Sequence, residues 1–75
     1  MKPTPIVNNI RSFRVEFGMT QQQLGDKVGL TRQTIIAIEA GKYSPSLETA
    51  FQIAEVFGVP LEALFRYNPS DSFTD

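Results

Sequence analysis

The chain contains no cysteine and no histidine. Those two absences exclude disulfides, zinc centres built on sulfur or imidazole, thiolate nucleophiles and histidine-based acid–base chemistry. Long apolar runs are missing as well. Nothing approaches the ~20 residues of a membrane-spanning helix, and the opening Met1-Lys2-Pro3-Thr4-Pro5 has one positive charge but no apolar stretch of the kind a secretion signal carries. The expectation is a cytoplasmic protein with no membrane partner. No triad, phosphate loop or pair of carboxylates at catalytic spacing can be assembled, so an enzyme is not expected, nor a metal or other cofactor.

What is present is modest in size. The 75 residues suffice for one domain, and a domain this small buries only about 60 % of the surface its unfolded chain exposes. That leaves little room for an elaborate substrate pocket. A small core without covalent staples commonly gains stability by oligomerising, which makes a homodimer the first expectation. The composition, 41 % hydrophobic and 20 % charged, is that of an ordinary globular domain.

A net charge of −1 argues at first against a polyanionic partner, but the charge is unevenly placed. Residues 1–42 hold Lys2, Arg11, Arg14, Lys27, Arg32 and Lys42 against Glu16, Asp26 and Glu39, a net of +3. Residues 43–75 hold Arg66 against Glu48, Glu55, Glu62, Asp71 and Asp75, a net of −4. Attraction of a polyanion depends on where charge sits, and the first half carries the right sign.

Helical spacing runs from Asn8 to Tyr67. Ile10, Phe13 and Phe17 form an apolar stripe after a cap at Asn8 or Asn9, and Gly18 stops that helix. Thr20 with Gln23 makes a capping box for a second helix of about nine residues, with Leu24 and Val28 facing inward and Gly29 at its end. Thr31 caps a third helix, with Ile35 and Ile38 inward and Gly41 as its stop. Ser46 caps a fourth, with Leu47, Ala50, Ile53, Ala54 and Phe57 inward. Pro60 suits the first turn of a short fifth helix, Leu61 to Phe65. The fold class predicted is an all-α, compact five-helix domain. Residues 1–7 form an extended N-terminal segment, 8–67 the helical domain and 68–75 a mobile tail.

The segment Thr20 to Ser46 carries the most information. Gly25 is small where two helices cross closely, Gly29 permits the positive φ of a tight turn, and Leu24, Val28, Ile35 and Ile38 lock one helix across the other. With Glu39-Ala40-Gly41-Lys42-Tyr43-Ser44-Pro45-Ser46 following, the pattern resembles the Xre family of bacterial helix-turn-helix regulators, which includes the phage Cro proteins and repressors. The resemblance covers residues 8–67 and is similar to minimal, single-domain members of the cytolysin-operon repressor type.

The resemblance implies a lambda-repressor-like fold that binds double-stranded DNA as a homodimer, with the third helix in the major groove of an inverted-repeat operator and repression as the outcome. It also implies that the N-terminal strand pairs with a strand after the fifth helix, setting Ile6-Val7 beside Arg66-Tyr67. Arg32 and Gln33 open the third helix and suit base contacts, since Arg forks onto guanine and Gln onto adenine. Ile36 lies about 100° from Ile35 and should be exposed, where it can pack on a thymine methyl. Gln21, Thr31, Lys42, Tyr43 and Ser44 are the expected contacts to the DNA backbone. Gln21 is further implied to orient the start of the third helix.

Other residues read differently. Arg14 and Glu39 match a structural ion pair between the first and third helices. Ala40 stands where relatives often carry a polar residue, so one backbone contact is missing. Leu64, Phe65 and Tyr67 belong to a surplus of apolar side chains that suggests a dimer interface. The competing function is an antitoxin-like module that binds a small protein partner through its acidic fourth and fifth helices, with DNA binding secondary.

Overall fold

Capping chemistry sets most of the helix boundaries. In the computed structural model, which describes residues 4–68, strand β1 (Ile6–Asn8) leads into α1 (Ile10–Glu16), α2 (Gln21–Val28), α3 (Arg32–Glu39), α4 (Leu47–Phe57) and α5 (Leu61–Leu64), followed by β2 (Phe65–Tyr67). Thr20 Oγ1 accepts from Gln23 N at 3.0 Å while Gln23 Oε1 accepts from Thr20 N at 2.8 Å, the reciprocal box expected from the sequence. Thr31 and Ser46 cap α3 and α4 by accepting from Thr34 N and Thr49 N at 3.2 and 3.1 Å. Each such cap contributes about 1 kcal/mol.

The start of α1 is settled by two asparagines with separate tasks. Asn8 Oδ1 accepts from Ile10 N at 3.1 Å, and its Nδ2 donates to Ile38 O at the end of α3 at 2.9 Å. Asn9, the residue flanking the helix, makes no capping bond of its own and donates through Nδ2 to Ala63 O at 3.1 Å. Both side chains therefore join α1 to distant parts of the chain.

All five helices reach one core. Ile10, Leu24, Ile35, Ile38, Ile53 and Leu64 are the largest fully buried side chains, with Ala54 and Phe57 packed among them. Full burial of one such aliphatic side chain is worth roughly 1.5–3 kcal/mol. Phe57 stacks on Phe13 with ring centroids 5.6 Å apart and meets Phe17 edge-on at 5.2 Å. β1 and β2 form an antiparallel pair in which Ile6 faces Tyr67, Val7 faces Arg66 and Asn8 faces Phe65, the pairing that the resemblance implies.

Four expectations are corrected. Leu47, expected inward, is 68 % exposed; it opens α4, and because helical side chains tilt toward the N-terminus it projects past the edge of the core. Phe65 does not end the fifth helix, since its φ of −124° and ψ of 143° place it in β2. Pro60 precedes α5 with an extended ψ of 157° instead of lying in its first turn. Leu64, expected at the dimer interface, is 0 % exposed and fills the core of its own chain, so it has no surface to offer a partner.

The expected mobile tail falls almost wholly outside the described residues. Its first residue, Asn68, is described and donates its N–H to Pro5 O at 2.7 Å.

Candidate nucleic-acid interface

The turn between α2 and α3 depends on two glycines for different reasons. Gly29 ends α2 in the left-handed region at φ 73°, where an L side chain would be strained. Gly25 lies within α2, and a Cβ there would stand 2.5 Å from the Leu30 carbonyl oxygen. The close approach expected at Gly25 is therefore to the backbone of the turn more than to the facing helix, whose Ile35 Cγ1 is 3.5 Å away. Leu30 N donates to Gly25 O at 2.8 Å and holds the turn against α2.

Behind the turn lies a polar brace. Arg14 Nε donates to Glu39 Oε2 at 2.7 Å, Arg14 Nη2 to Glu39 Oε1 at 3.2 Å and Arg14 Nη1 to Met19 O at 3.0 Å. The two charged side chains are only 13 % and 9 % exposed. Gln21 Nε2 donates to the same Glu39 Oε1 at 3.2 Å. One carboxylate thus gathers α1, the start of α2 and the end of α3. This partner differs from the one implied for Gln21, because Glu39 is at the opposite end of α3 from Arg32. Among the described residues no buried side-chain nitrogen or oxygen lacks a hydrogen-bond partner, which is the condition for a buried charge pair to be tolerated.

With its base held in this way, α3 forms a ridge with a hollow on each side. One hollow is lined by Arg11, Gln21, Arg32, Ile36 and Ala40. The other is lined by Gln33, Thr34, Ala37, Lys42 and Tyr43. Arg32 and Gln33 are exposed at the start of α3, and their side chains make no hydrogen bond within the described residues. Ile36 is half-buried where full exposure was expected. A residue 100° from the inward Ile35 lies on the shoulder of the helix, and here that shoulder forms a wall of the first hollow.

The remaining expected contacts are distributed around the ridge. Lys42 and Tyr43 are exposed in the loop after α3, Tyr43 by 53 %, and Ser44 is half-buried. Thr31 Oγ1 caps α3 and also lies 3.0 Å from Thr34 Oγ1. If Thr34 is the donor of that bond, the Thr31 proton stays free for a phosphate oxygen. Phe65 is half-buried and Tyr67 is 62 % exposed, beside Ile6 and Leu61. Arg11 was not among the expected contacts, although it lies one turn before Arg14 and so shares its side of α1.

Comparison with known proteins agrees with this geometry. The helix-turn-helix family model matches residues 10–64. A transcriptional regulator of the same type from Methanocaldococcus jannaschii, itself uncharacterized, is 48 % identical over 85 % of this chain and 97 % of its own length. The cryptic phage CTXphi transcriptional repressor RstR of Vibrio cholerae is 37 % identical over 91 % of this chain and 58 % of its own. Among solved structures, a candidate DNA-binding protein from Bacteroides fragilis superposes with a TM-score of 0.74 at 26 % identity, covering 81 % of this chain and 98 % of its own. The relatives are named as regulators, in keeping with a non-enzymatic protein. No helix among the described residues is long and apolar enough to cross a membrane. With its braced α2–α3 pair, lambda-repressor-like architecture and regulator relatives, the chain belongs to the helix-turn-helix family of DNA-binding transcriptional regulators.

Proposed function

We propose that this regulator is a repressor that binds an inverted-repeat operator as a homodimer, each copy placing α3 in the major groove. The observation that carries this reading is the α3 ridge, which keeps Arg32 and Gln33 exposed and unbonded while Glu39 at its other end is tied down. In a dimer the two ridges would enter successive grooves about 34 Å apart. The paired terminal strands support a likeness to the cytolysin-operon repressor type, and the exposed Val7 and Tyr67 supply apolar surface for a two-fold contact. The name of the phage repressor relative favours repression over activation.

Selection of bound fragments from a random DNA pool tests the proposal. An enriched two-fold-symmetric sequence is expected, bound with a slope of log K against log salt on the order of −5 for about six phosphate contacts per dimer. The double variant Arg32→Ala with Gln33→Ala should lose that preference. An unenriched or asymmetric pool contradicts the operator model.

The antitoxin-like reading has one observation in its favour. Leu47 and Phe51, one turn apart on α4, are 68 % and 53 % exposed beside the exposed Glu48 and Glu55. Co-purification of a basic partner that survives the Arg32 and Gln33 substitutions would support it.

A further inference from the structure

The charges in the first hollow do not balance. Its lining includes Arg11, Arg14 and Arg32 but one carboxylate, Glu39. Both oxygens of that carboxylate are engaged by Arg14, and one of them also by Gln21. Arg11 and Arg32 are left exposed, and neither guanidinium forms a hydrogen bond or ion pair within the described residues. The two guanidiniums come from different helices, α1 and α3, yet line one concavity. Ala40, on the same wall, has no side-chain donor to offer.

We infer that Arg11 is a further DNA-contacting residue, which grips a backbone phosphate at the mouth of the hollow between α1 and α3 while Arg32 faces the bases. The inference rests on the DNA-binding mode proposed above and adds a contact from outside the helix-turn-helix. A phosphodiester fits the chemistry: its two non-bridging oxygens accept from a guanidinium fork, and its charge offsets a cluster that nothing else in the hollow neutralises. A backbone contact positions the protein without reading sequence, so Arg11 and Arg32 have separable signatures.

The test measures binding of the full chain to two duplexes, the fragment selected from the random pool and a mixed-sequence control, across a salt series. Arg11→Ala is expected to weaken binding to both duplexes by a similar factor, roughly 3- to 10-fold, and to make the salt slope shallower by about 1 per subunit. Arg11→Lys should keep the slope. Arg32→Ala should weaken binding to the selected fragment far more than to the control. Thermal unfolding of Arg11→Ala should match that of the parent, because an exposed side chain without a partner is removed.

Wild-type affinity and slope in Arg11→Ala, alongside a clear loss in Arg32→Ala, would overturn this inference and leave the proposed function standing. Failure of the unaltered protein to bind either duplex would overturn both.

Discussion

The α1–α3 half and the α4–β2 half use their charged groups in opposite ways. In the first, the buried charges Arg14 and Glu39 are spent on each other, and the free cations Arg11, Arg32 and Lys42 surround the α3 ridge. In the second, Glu48, Glu55 and Glu62 are exposed without an ion pair among the described residues, next to exposed Leu47, Phe51 and Tyr67. The difference teaches how a chain of net charge −1 can bind a polyanion. Separated charge allows one part of a chain to attract a duplex even when the sum of its charges is negative.

The comparison can be broken at graded cost. Arg14→Ala should have the largest effect, because it strands a mostly buried Glu39 carboxylate, at a cost of roughly 3–5 kcal/mol. A urea titration followed by circular dichroism should show a domain near collapse, with DNA binding lost through unfolding. Leu64→Ala probes the other half by emptying core volume, at about 2–5 kcal/mol. Should the Arg14 variant retain the parent midpoint, the brace is not structural and the contrast between the halves fails.

Smaller effects sharpen the contrast. Gly25→Ala drives a methyl against the fixed carbonyl of Leu30, toward the upper end of the roughly 1–3 kcal/mol typical of overpacking. Gly58→Ala has open space around it at φ 67°, and should cost only the left-handed strain of roughly 1–2 kcal/mol. Equal losses of thermal midpoint in the two variants would mean that the turn yields. Thr31→Ala comes last at about 1 kcal/mol, the worth of one cap. Ser46→Ala is its counterpart on α4 and should give a similar shift.

Much of the fold was legible because its signals are local. Thr20, Thr31 and Ser46 announce helix starts, and Gly29 announces a stop, each through chemistry confined to a few residues. The inward positions of α3 followed from helical period alone. What could not be read depends on third parties. Whether Leu47 is covered, whether Ile36 forms a wall and whether Leu64 faces its own core or a partner are decided by elements distant in sequence, and a helical period carries no information about them. The strand pairing came from family resemblance, since Ile6-Val7 by itself shows only extended character. The place of Arg11 is illegible in the sequence for the same reason, since it arises only when α1 and α3 are set side by side.

Asn8 has a geometric consequence for the proposed homodimer on its operator. Its amide hydrogen-bonds both Ile10 N and Ile38 O while its backbone pairs with Phe65, so this residue ties the sheet directly to the last turn of α3. In a homodimer seated on that sheet there would be almost no slack between the two reading helices. One base pair inserted between the half-sites turns the second groove by about 34°, and a linkage this short leaves the distortion to the DNA. Such a protein would measure the length of its site as strictly as it reads the letters.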